Sequence, residues 1–362
     1  MSKKSKTIRV KLIVNPDAGN ASEADNALKL ATGYLKKNGL KASVARAKPK
    51  AKATQLARQA IKDRYEIVIA MGGDGTVEAV MRGMVGSKVR LGIIPAGIEN
   101  NIAKDLGIPV NLEEACALIA SKKIRKLDVS QVKTGKGKNF AFFEMAGIGL
   151  SAAMYPVVSS TVAEKPSVLQ EDVPAPIQKE TKPKVILTLD DNNKIELDSL
   201  LVMVSNTHVF GKKFLVTPID SSQDSLLDIS VFQDFSKAEL LEYYAKTKDG
   251  GYSGNGKVLR YQASKLKVRS LPRLKVMADG IEQGKGTVTI KVRSGALRVI
   301  APKKSPNPES PVKDEVIPVQ AQIEVIPVPI PVIPENLPQP VTPPAKKATP
   351  RKRVISGQKT SA

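Results

Sequence analysis

The stretch MGGDGTVEAV, residues 71–80, determines the predicted fold of the first half of the chain. It follows the apolar run at 67–70, and three glycines surround one aspartate before a helical pattern begins. Glycine lets a ligand approach the backbone, and the unpaired N–H groups of a helix N-terminus attract phosphate. Thr76 is expected to cap the helix. Asp74 fits beside phosphate if Mg²⁺ neutralises it; a plain turn with an exposed aspartate is the alternative.

Outward from this stretch, short apolar segments alternate with helical patterns. Strands are expected at 7–15, 41–47, 65–71 and 90–96, and helices at 21–37, 51–63, 76–85, 99–106 and 111–121. This alternation predicts a mostly parallel, doubly wound α/β domain over residues 1–125. Ligands bind such sheets at the carboxyl ends of the strands. The turns NPDAGN (15–20), GGDGT (72–76) and PAGIENN (95–101) all follow strands, so we expect them at one edge.

The pattern changes from residue 126 onwards. Strand-like segments separated by turn residues predict an antiparallel β-sandwich domain over 126–303, with its last strands packing back on the first domain. One helix is expected at 236–247, where Ser236 and Glu239 form a capping box. Residues 156–183 are rich in proline and charge and are interpreted as a loop. The proline-rich tail, 304–362, is expected to be disordered.

Cysteine and histidine are scarce, which excludes several kinds of site. The single cysteine, Cys116, rules out a disulfide framework and a cysteine-based zinc site, and is expected in the core. The single histidine, His208, rules out a histidine-rich metal cluster and is interpreted as a loop residue. Glu144 lies in an apolar strand, where it is expected to face solvent or be paired; a position facing the cleft is the less favoured alternative.

The chain is strongly basic, with a net charge of +22. Residues 302–362 carry nine Lys/Arg and five Asp/Glu and so supply +4, which leaves +18 for residues 1–301. This charge favours anionic partners such as phosphate ligands or acidic lipid surfaces, although a solubility bias is an equal alternative. No apolar stretch reaches the ~20 residues that span a bilayer. We expect a cytoplasmic protein that can contact membranes peripherally, without specific nucleic-acid binding.

Nine motifs together resemble the diacylglycerol kinase catalytic-domain superfamily. The resemblance is strongest to its bacterial lipid kinase branch, and sphingosine and ceramide kinases are more distant relatives. It extends over about residues 7–303 and is carried by NPDAG (15–19), GGDGT (72–76), IPAGIENNIAKDLGIP (94–109), LDVSQV (127–132), FFEMAGIGLSA (142–152), VSN (204–206), SSQDSLLDISVF (221–232), DG (279–280) and SGALRVIAPK (294–303).

The resemblance implies a fold, a reaction and a set of site residues. It implies an active site in the cleft between two domains, where the γ-phosphoryl group of ATP passes to a lipid hydroxyl with the help of Mg²⁺. The implied nucleotide-binding residues are Asn15, Gly19, Gly72, Gly73, Gly75, Thr76, Gly97 and Asn100. The implied metal ligands are Ser221, Asp224 and Leu226. The implied catalytic residues are Asp74, Asp279 and Glu282.

Two motifs depart from the family pattern. The family reads Gly-Thr-x-Asn-Asp, where this chain has Ile98 in place of the threonine and Asn101 in place of the aspartate. The family also reads Asp-Gly-Glu, with the glutamate as general base, where this chain has Ile281. Glu282 comes one residue later and points to the other face of a strand unless a bulge at Gly280 restores it. Asp279 is the remaining candidate base.

We interpret the chain as an ATP-dependent lipid kinase with a diacylglycerol-like acceptor at a membrane surface, compatible with a homodimer. The first alternative is a catalytically degenerate member that binds nucleotide or lipid as a scaffold or regulator. The changed residues 98, 101 and 281 motivate it. An NAD kinase-like enzyme is a further alternative, because NAD kinases share GGDG. A nucleic-acid binder is the third alternative, and only the net charge motivates it.

Overall fold

The N-terminal strands form a parallel sheet because their sequences are apolar on both faces. In the computed structural model these are β1 (Val10–Val14), β2 (Ala42–Arg46), β3 (Ile67–Gly72) and β4 (Arg90–Pro95). They pair in the order β4-β3-β1-β2, all in parallel. Every residue of β3 is buried, as expected for a central strand covered on both sides.

Helices cover both faces of this parallel sheet. They are α1 (Ala21–Lys37), α2 (Lys52–Lys62), α3 (Asp74–Met84), α4 (Asn101–Asp105) and α5 (Leu112–Ser121). Val68 and Ala70 of β3 pack with α2 and α3. Ile67 and Ile69 share the opposite core with α1 and α5, where Cys116 is also buried. The alternation of β3 side chains thus builds two cores, and the predicted doubly wound α/β fold is confirmed.

Antiparallel strands dominate the rest of the chain. They are β5 (Ile124–Thr134), β6 (Phe140–Phe142), β7 (Met145–Gly149), β8 (Lys184–Leu189), β9 (Asn193–Ser205), β10 (Val209–Phe210), β11 (Phe214–Leu215), β12 (Leu227–Gln233), β13 (Val258–Ala263), β14 (Lys265–Leu271), β15 (Lys275–Ala278), β16 (Ile281–Lys285) and β17 (Val288–Ile300). A single apolar core runs through most of them. The predicted antiparallel β-rich second half is confirmed.

The last strand connects the two halves. β17 pairs antiparallel with β5 and β14, and then Arg298 and Val299 pair in parallel with Arg90 and Leu91 of β4. One sheet therefore runs without interruption from the β15–β16 hairpin to β2. Because β17 belongs to both halves, it joins the β-rich half to the parallel sheet, through the first two residues of β4.

The structure describes residues 8–16, 21–48, 52–135, 137–150, 182–205, 209–210, 214–215, 224–236, 239–240, 243 and 256–303. The predicted capping box is present: Ser236 Oγ accepts from the Glu239 N–H at 3.2 Å, and the Ser236 N–H donates to Glu239 Oε2 at 2.7 Å. The interpretations of most of the 156–183 loop, of His208 and of the tail concern residues outside these ranges. Within these ranges, no helix has the length and apolar character to cross a bilayer.

Candidate functional site

Two glycine turns touch each other at the carboxyl ends of β3 and β4. A Cβ atom on Gly97 would lie 2.4 Å from the Cα of Gly73, and a Cβ on Gly73 would lie 3.2 Å from the Cα of Gly97. The Ala96 N–H also donates to the Gly72 carbonyl at 3.0 Å. Side chains are thus excluded from this contact, and the predicted meeting of these two turns is confirmed.

The first turn of the chain lies near the same edge. The Asn15 N–H donates to the carbonyl oxygen of Met71 at 3.3 Å, which places Asn15 beside the end of β3. Gly19, which the resemblance assigns to the nucleotide, lies outside the described residues. The described part of this turn is therefore adjacent to the glycine contact.

Helix α3 begins two residues earlier than Thr76, so the prediction that Thr76 caps the helix is wrong. Gly73 is the N-cap, and its carbonyl accepts from the N–H groups of Thr76 and Val77. Thr76 is only 4% exposed and fills the space under Gly72, where an added Cβ would lie 2.7 Å from the Thr76 Cβ. At the start of α3, Gly73, Asp74 and Gly75 are partly exposed, and no side chain caps the helix.

Asp74 and Asn100 fix the second turn. Asp74 Oδ1 accepts from the Ile102 N–H at 3.0 Å and so joins the start of α3 to the start of α4. Asn100 is buried in the left-handed conformation, with its side-chain amide bonded to both the N–H and the carbonyl of Gly97 at 2.9 Å. Asn100 thus shapes the loop with its side chain, whereas Ile98 at the loop tip is 97% exposed.

Asp279 is a buried anion whose oxygens are already occupied. It forms the two-residue turn between β15 and β16 with Gly280, both at positive φ. One oxygen accepts from Arg82 Nη2 at 2.6 Å and from the Phe143 N–H at 2.9 Å. The other accepts from the N–H groups of Glu144 and Met145. Burial raises the pKa of the Asp279 carboxyl, while Arg82 and these backbone donors oppose the rise.

This surrounding argues against the catalytic role expected for Asp279. Its side chain has 0% exposure, and each partner is an N–H donor. Such donors match an ionised carboxylate, which accepts only. We assign Asp279 a structural role: it links Arg82 of α3 to residues 143–145 by accepting hydrogen bonds from both.

Glu282 lies on β16, on the far side of the Asp279–Gly280 turn. It is half exposed, and its nearest cation is Lys275 at 3.7 Å. The register shift of this hairpin comes after Glu282, which pairs with Met277 while Gly284 pairs with Val276. The bulge is therefore not at Gly280, and Glu282 is directly opposite Met277 instead of taking the place of Ile281.

Glu144 is a further functional candidate, for which a position facing the cleft was the less favoured prediction. Burial, followed by the charges of the neighbouring carboxylates Glu78, Asp279, Asp74 and Asp105, raises the pKa of its carboxyl to about 9. Among the described residues, no hydrogen-bond donor reaches this carboxyl group. The available signal was the charged residue inside the apolar segment FFEMAGIG. Glu144 therefore lies among carboxylates, and no cation of the described residues pairs with it.

Helix α3 supplies much of that acidic side. Asp74, Glu78 and Arg82 recur every four residues and so share one face of the helix. Arg82 Nη2 binds Glu78 at 3.0 Å as well as Asp279, and the guanidinium group lies 4.8 Å from the centre of the Phe140 ring. The positive charge of Arg82 is thus neutralised by Glu78 and Asp279, and among the described contacts it forms no ion pair with Asp74 at the start of α3.

The described part of the predicted metal site is a loop held in place by hydrogen bonds. Asp224 is exposed, and its Oδ1 accepts from the Leu226 N–H at 2.9 Å. Asp128 holds the loop by accepting from the N–H groups of Ser225 and Gly295, both at 2.7 Å. An exposed carboxylate suits a hard cation such as Mg²⁺. Ser221 lies outside the described residues, and within those described no three His, Cys, Asp or Glu side chains cluster for a metal.

Two protein-family models match this chain. Residues 9–132 match the family model of the diacylglycerol kinase catalytic domain, and residues 178–301 match the YegS C-terminal NAD kinase beta sandwich-like domain. The chain belongs to the diacylglycerol kinase catalytic-domain superfamily. Both matches fall within the span of the predicted resemblance.

Named relatives support this membership. A diacylglycerol kinase of Mycobacterium tuberculosis is 25% identical over 265 residues, which cover 69% of this chain and 82% of that protein. One of Staphylococcus aureus is 26% identical over 313 residues, covering 83% and 95%. The crystal structure of a diacylglycerol kinase from Bacillus anthracis superimposes with a TM-score of 0.62 at 23% identity, covering 83% of this chain and 98% of that one, which shows a shared fold.

In this member of the superfamily, the site residues fall into two groups. The glycine turns, Asp74 and the start of α3 come together at one edge of the sheet. Glu144 and the Asp279 turn approach the same helix from the β-rich half. The loop that carries Asp224 is attached elsewhere, to β5 and β17. The structure therefore places the glycine turns beside the start of α3 and the acidic group around Glu144 along the same helix.

Proposed function

We propose that this protein is an ATP-dependent lipid kinase that transfers the γ-phosphoryl group of ATP to a lipid hydroxyl. The observation that carries the proposal is the backbone contact of Gly73 with Gly97 over the open N-terminus of α3. Peptide N–H groups at a helix start bind phosphate, and bare glycine lets the phosphate chain approach them. The membership in a superfamily with relatives named diacylglycerol kinase supports the lipid acceptor.

Catalysis of phosphoryl transfer depends mainly on position and electrostatics. Asp74 ties the start of α3 to the start of α4, so the two glycine turns keep a fixed position relative to each other. Mg²⁺, when bound, would offset the charge of the phosphates, and Asp224 is the described carboxylate that the resemblance assigns to a metal. The net charge of +22 favours approach to an anionic membrane where a lipid acceptor resides.

The proposal is tested by incubating the protein with γ-labelled Mg-ATP and mixed lipid vesicles. Asp74→Asn keeps a side-chain oxygen for the Ile102 N–H but removes the charge beside the phosphates. We expect labelled lipid with the wild type and a loss of about 10²-fold or more with Asp74→Asn. Asp63→Asn is the matched control, because Asp63 is exposed and bonds only Gln59 through its side chain among the contacts described.

A wild-type protein that binds Mg-ATP but labels no lipid would contradict the proposal. That result would favour the catalytically degenerate alternative, which the exposed Ile98 at the loop tip motivates. An isoleucine side chain offers no hydroxyl to phosphate, so the loop must act through its backbone. Formation of NADP from NAD in the same assay would instead favour the NAD kinase-like alternative.

A further inference from the structure

We propose that Glu144 is the proton acceptor of the transfer reaction, in place of the glutamate that Ile281 replaces. This inference rests on the proposed kinase function and adds a catalytic residue to it. Ile281 follows the Asp279–Gly280 turn, where the resemblance implies a general base, and a hydrocarbon side chain cannot take a proton. A carboxylate from outside the β15–β16 hairpin would have to take that role, and Glu144 lies in the bend between β6 and β7.

The backbone places Glu144 beside that turn. The register of β7 with β15 pairs Ala146 with Ala278. Beyond that pair, the Asp279 N–H donates to the Met145 carbonyl at 3.0 Å, and the Glu144 N–H donates to Asp279 Oδ1 at 3.0 Å. Glu144 is consequently the residue of the neighbouring chain segment that lies alongside the turn, whereas Ile281 follows the turn on β16, on the other side of β15.

The surroundings of Glu144 suit proton uptake. Its carboxyl group is partly buried and has no hydrogen-bond donor among the described residues. By contrast, Asp279 is fully buried with its oxygens occupied, and Glu282 is half exposed near Lys275. Of the carboxylates on this hairpin and beside it, Glu144 is therefore the one whose carboxyl group accepts no hydrogen bond from a described residue and lies near Glu78 and Asp74 of α3.

The proposed step balances as a single displacement. The lipid hydroxyl oxygen forms a bond to the γ-phosphorus of ATP while its proton moves to the Glu144 carboxylate. The bond from the γ-phosphorus to the bridging oxygen breaks, and ADP leaves with that electron pair. Loss of a general base costs about 10²- to 10⁴-fold in rate.

Charged groups from three elements face this carboxyl group. They are Asp74 and Glu78 on α3, Asp105 on α4, and Asp279 at the β15–β16 turn, while Arg82 binds Glu78 and Asp279. The carboxylates favour the protonated form of Glu144, because each adds a negative charge nearby. The reaction should therefore become faster as pH rises, since more Glu144 is then ionised, and this rise should disappear when glutamine replaces Glu144.

The test compares Glu144→Gln, the double variant Glu144→Gln/Ile281→Glu and the control Glu196→Gln, an exposed carboxylate near Lys184. Lipid labelling and the Kd of Mg-ATP are measured for each. We expect Glu144→Gln to lower kcat by about 10²-fold or more at unchanged Kd. The double variant should recover at least about tenfold of that loss, because it returns a carboxylate beside the same turn. Glu196→Gln should match the wild type.

Each other outcome overturns the assignment. Transfer that survives Glu144→Gln, a loss matched by weaker Mg-ATP binding, or a loss that Ile281→Glu does not reverse would show that Glu144 is not the proton acceptor. These results leave the kinase itself standing, because the wild type still labels lipid. A wild type that labels no lipid overturns the proposed function, and this inference with it.

Discussion

Replacing Glu144 with glutamine is expected to change how the stability of the protein depends on pH. Burial, followed by the charges of Glu78, Asp279, Asp74 and Asp105, raises the pKa of the Glu144 carboxyl from 4.5 to about 9. Because the folded-state pKa lies above the unfolded value, the folded protein holds this proton more tightly. The resulting stability is fully present below pH 4.5 and is lost as pH rises towards 9.

The size of the effect follows from the same two pKa values. Between them, each pH unit removes about 1.4 kcal/mol from the free energy of unfolding. From about pH 5 to pH 8 the wild type should lose up to about 4 kcal/mol through this one carboxyl group. Glutamine does not titrate, so the variant lacks that loss. From about pH 5 to pH 8, the unfolding free energy of the variant minus that of the wild type should therefore rise by about 2–4 kcal/mol.

Urea unfolding followed by circular dichroism at several pH values measures this difference. Comparing the two proteins at each pH cancels the constant cost of packing an amide at this position. Glu196→Gln is the control, since that carboxyl group is exposed on β9. If the curves of Glu144→Gln and the wild type run parallel across the range, Glu144 does not lie buried among carboxylates, and the reasoning about the site fails.

Two further substitutions test the packing of the site. Gly97→Ala should weaken Mg-ATP binding by at least about tenfold, since its Cβ would lie 2.4 Å from the Gly73 Cα and push the turns apart. Isothermal titration calorimetry measures this binding. The control is Gly33→Ala on α1, because an added Cβ there meets nothing within 4 Å; it should bind Mg-ATP like the wild type and melt at a higher temperature in a thermal scan. Arg82→Met should lower the free energy of unfolding by about 3–5 kcal/mol, because it leaves Asp279 buried without its cation. A loss below about 1 kcal/mol in urea unfolding would show that the backbone donors alone suffice.

Local patterns were sufficient for the parallel half of the fold. The apolar runs of β1, β3 and β4 and the helical periodicity between them predicted the alternation of strands and helices, because both signals depend on neighbouring residues. The boundary of α3 was less certain for the same reason. Gly73 and Thr76 both suit a helix start, and the packing of Thr76 under Gly72 decided between them.

The arrangement of charged side chains around the site could not be predicted from short sequence patterns. Glu144 lies in an apolar segment and was expected to face solvent or be paired, yet its carboxylate neighbours come from α3, α4 and the β15–β16 turn. Asp279 stood in a motif that implied catalysis, whereas contacts with Arg82 and with residues 143–145 bury it. Charge–charge energies depend on distances between residues far apart in sequence, which no short motif contains.

The sequence by itself determined the doubly wound first half, the β-rich second half and the glycine turns, because backbone preference and hydrophobic period are properties of short segments. Only the tertiary structure decided the register in which β17 pairs with β4, the direct backbone contact of Gly73 with Gly97, and the position of Glu144 among carboxylates of α3, α4 and the β15–β16 turn. Those contacts join residues from separate elements, and they form only when burial of the shared cores brings these elements together.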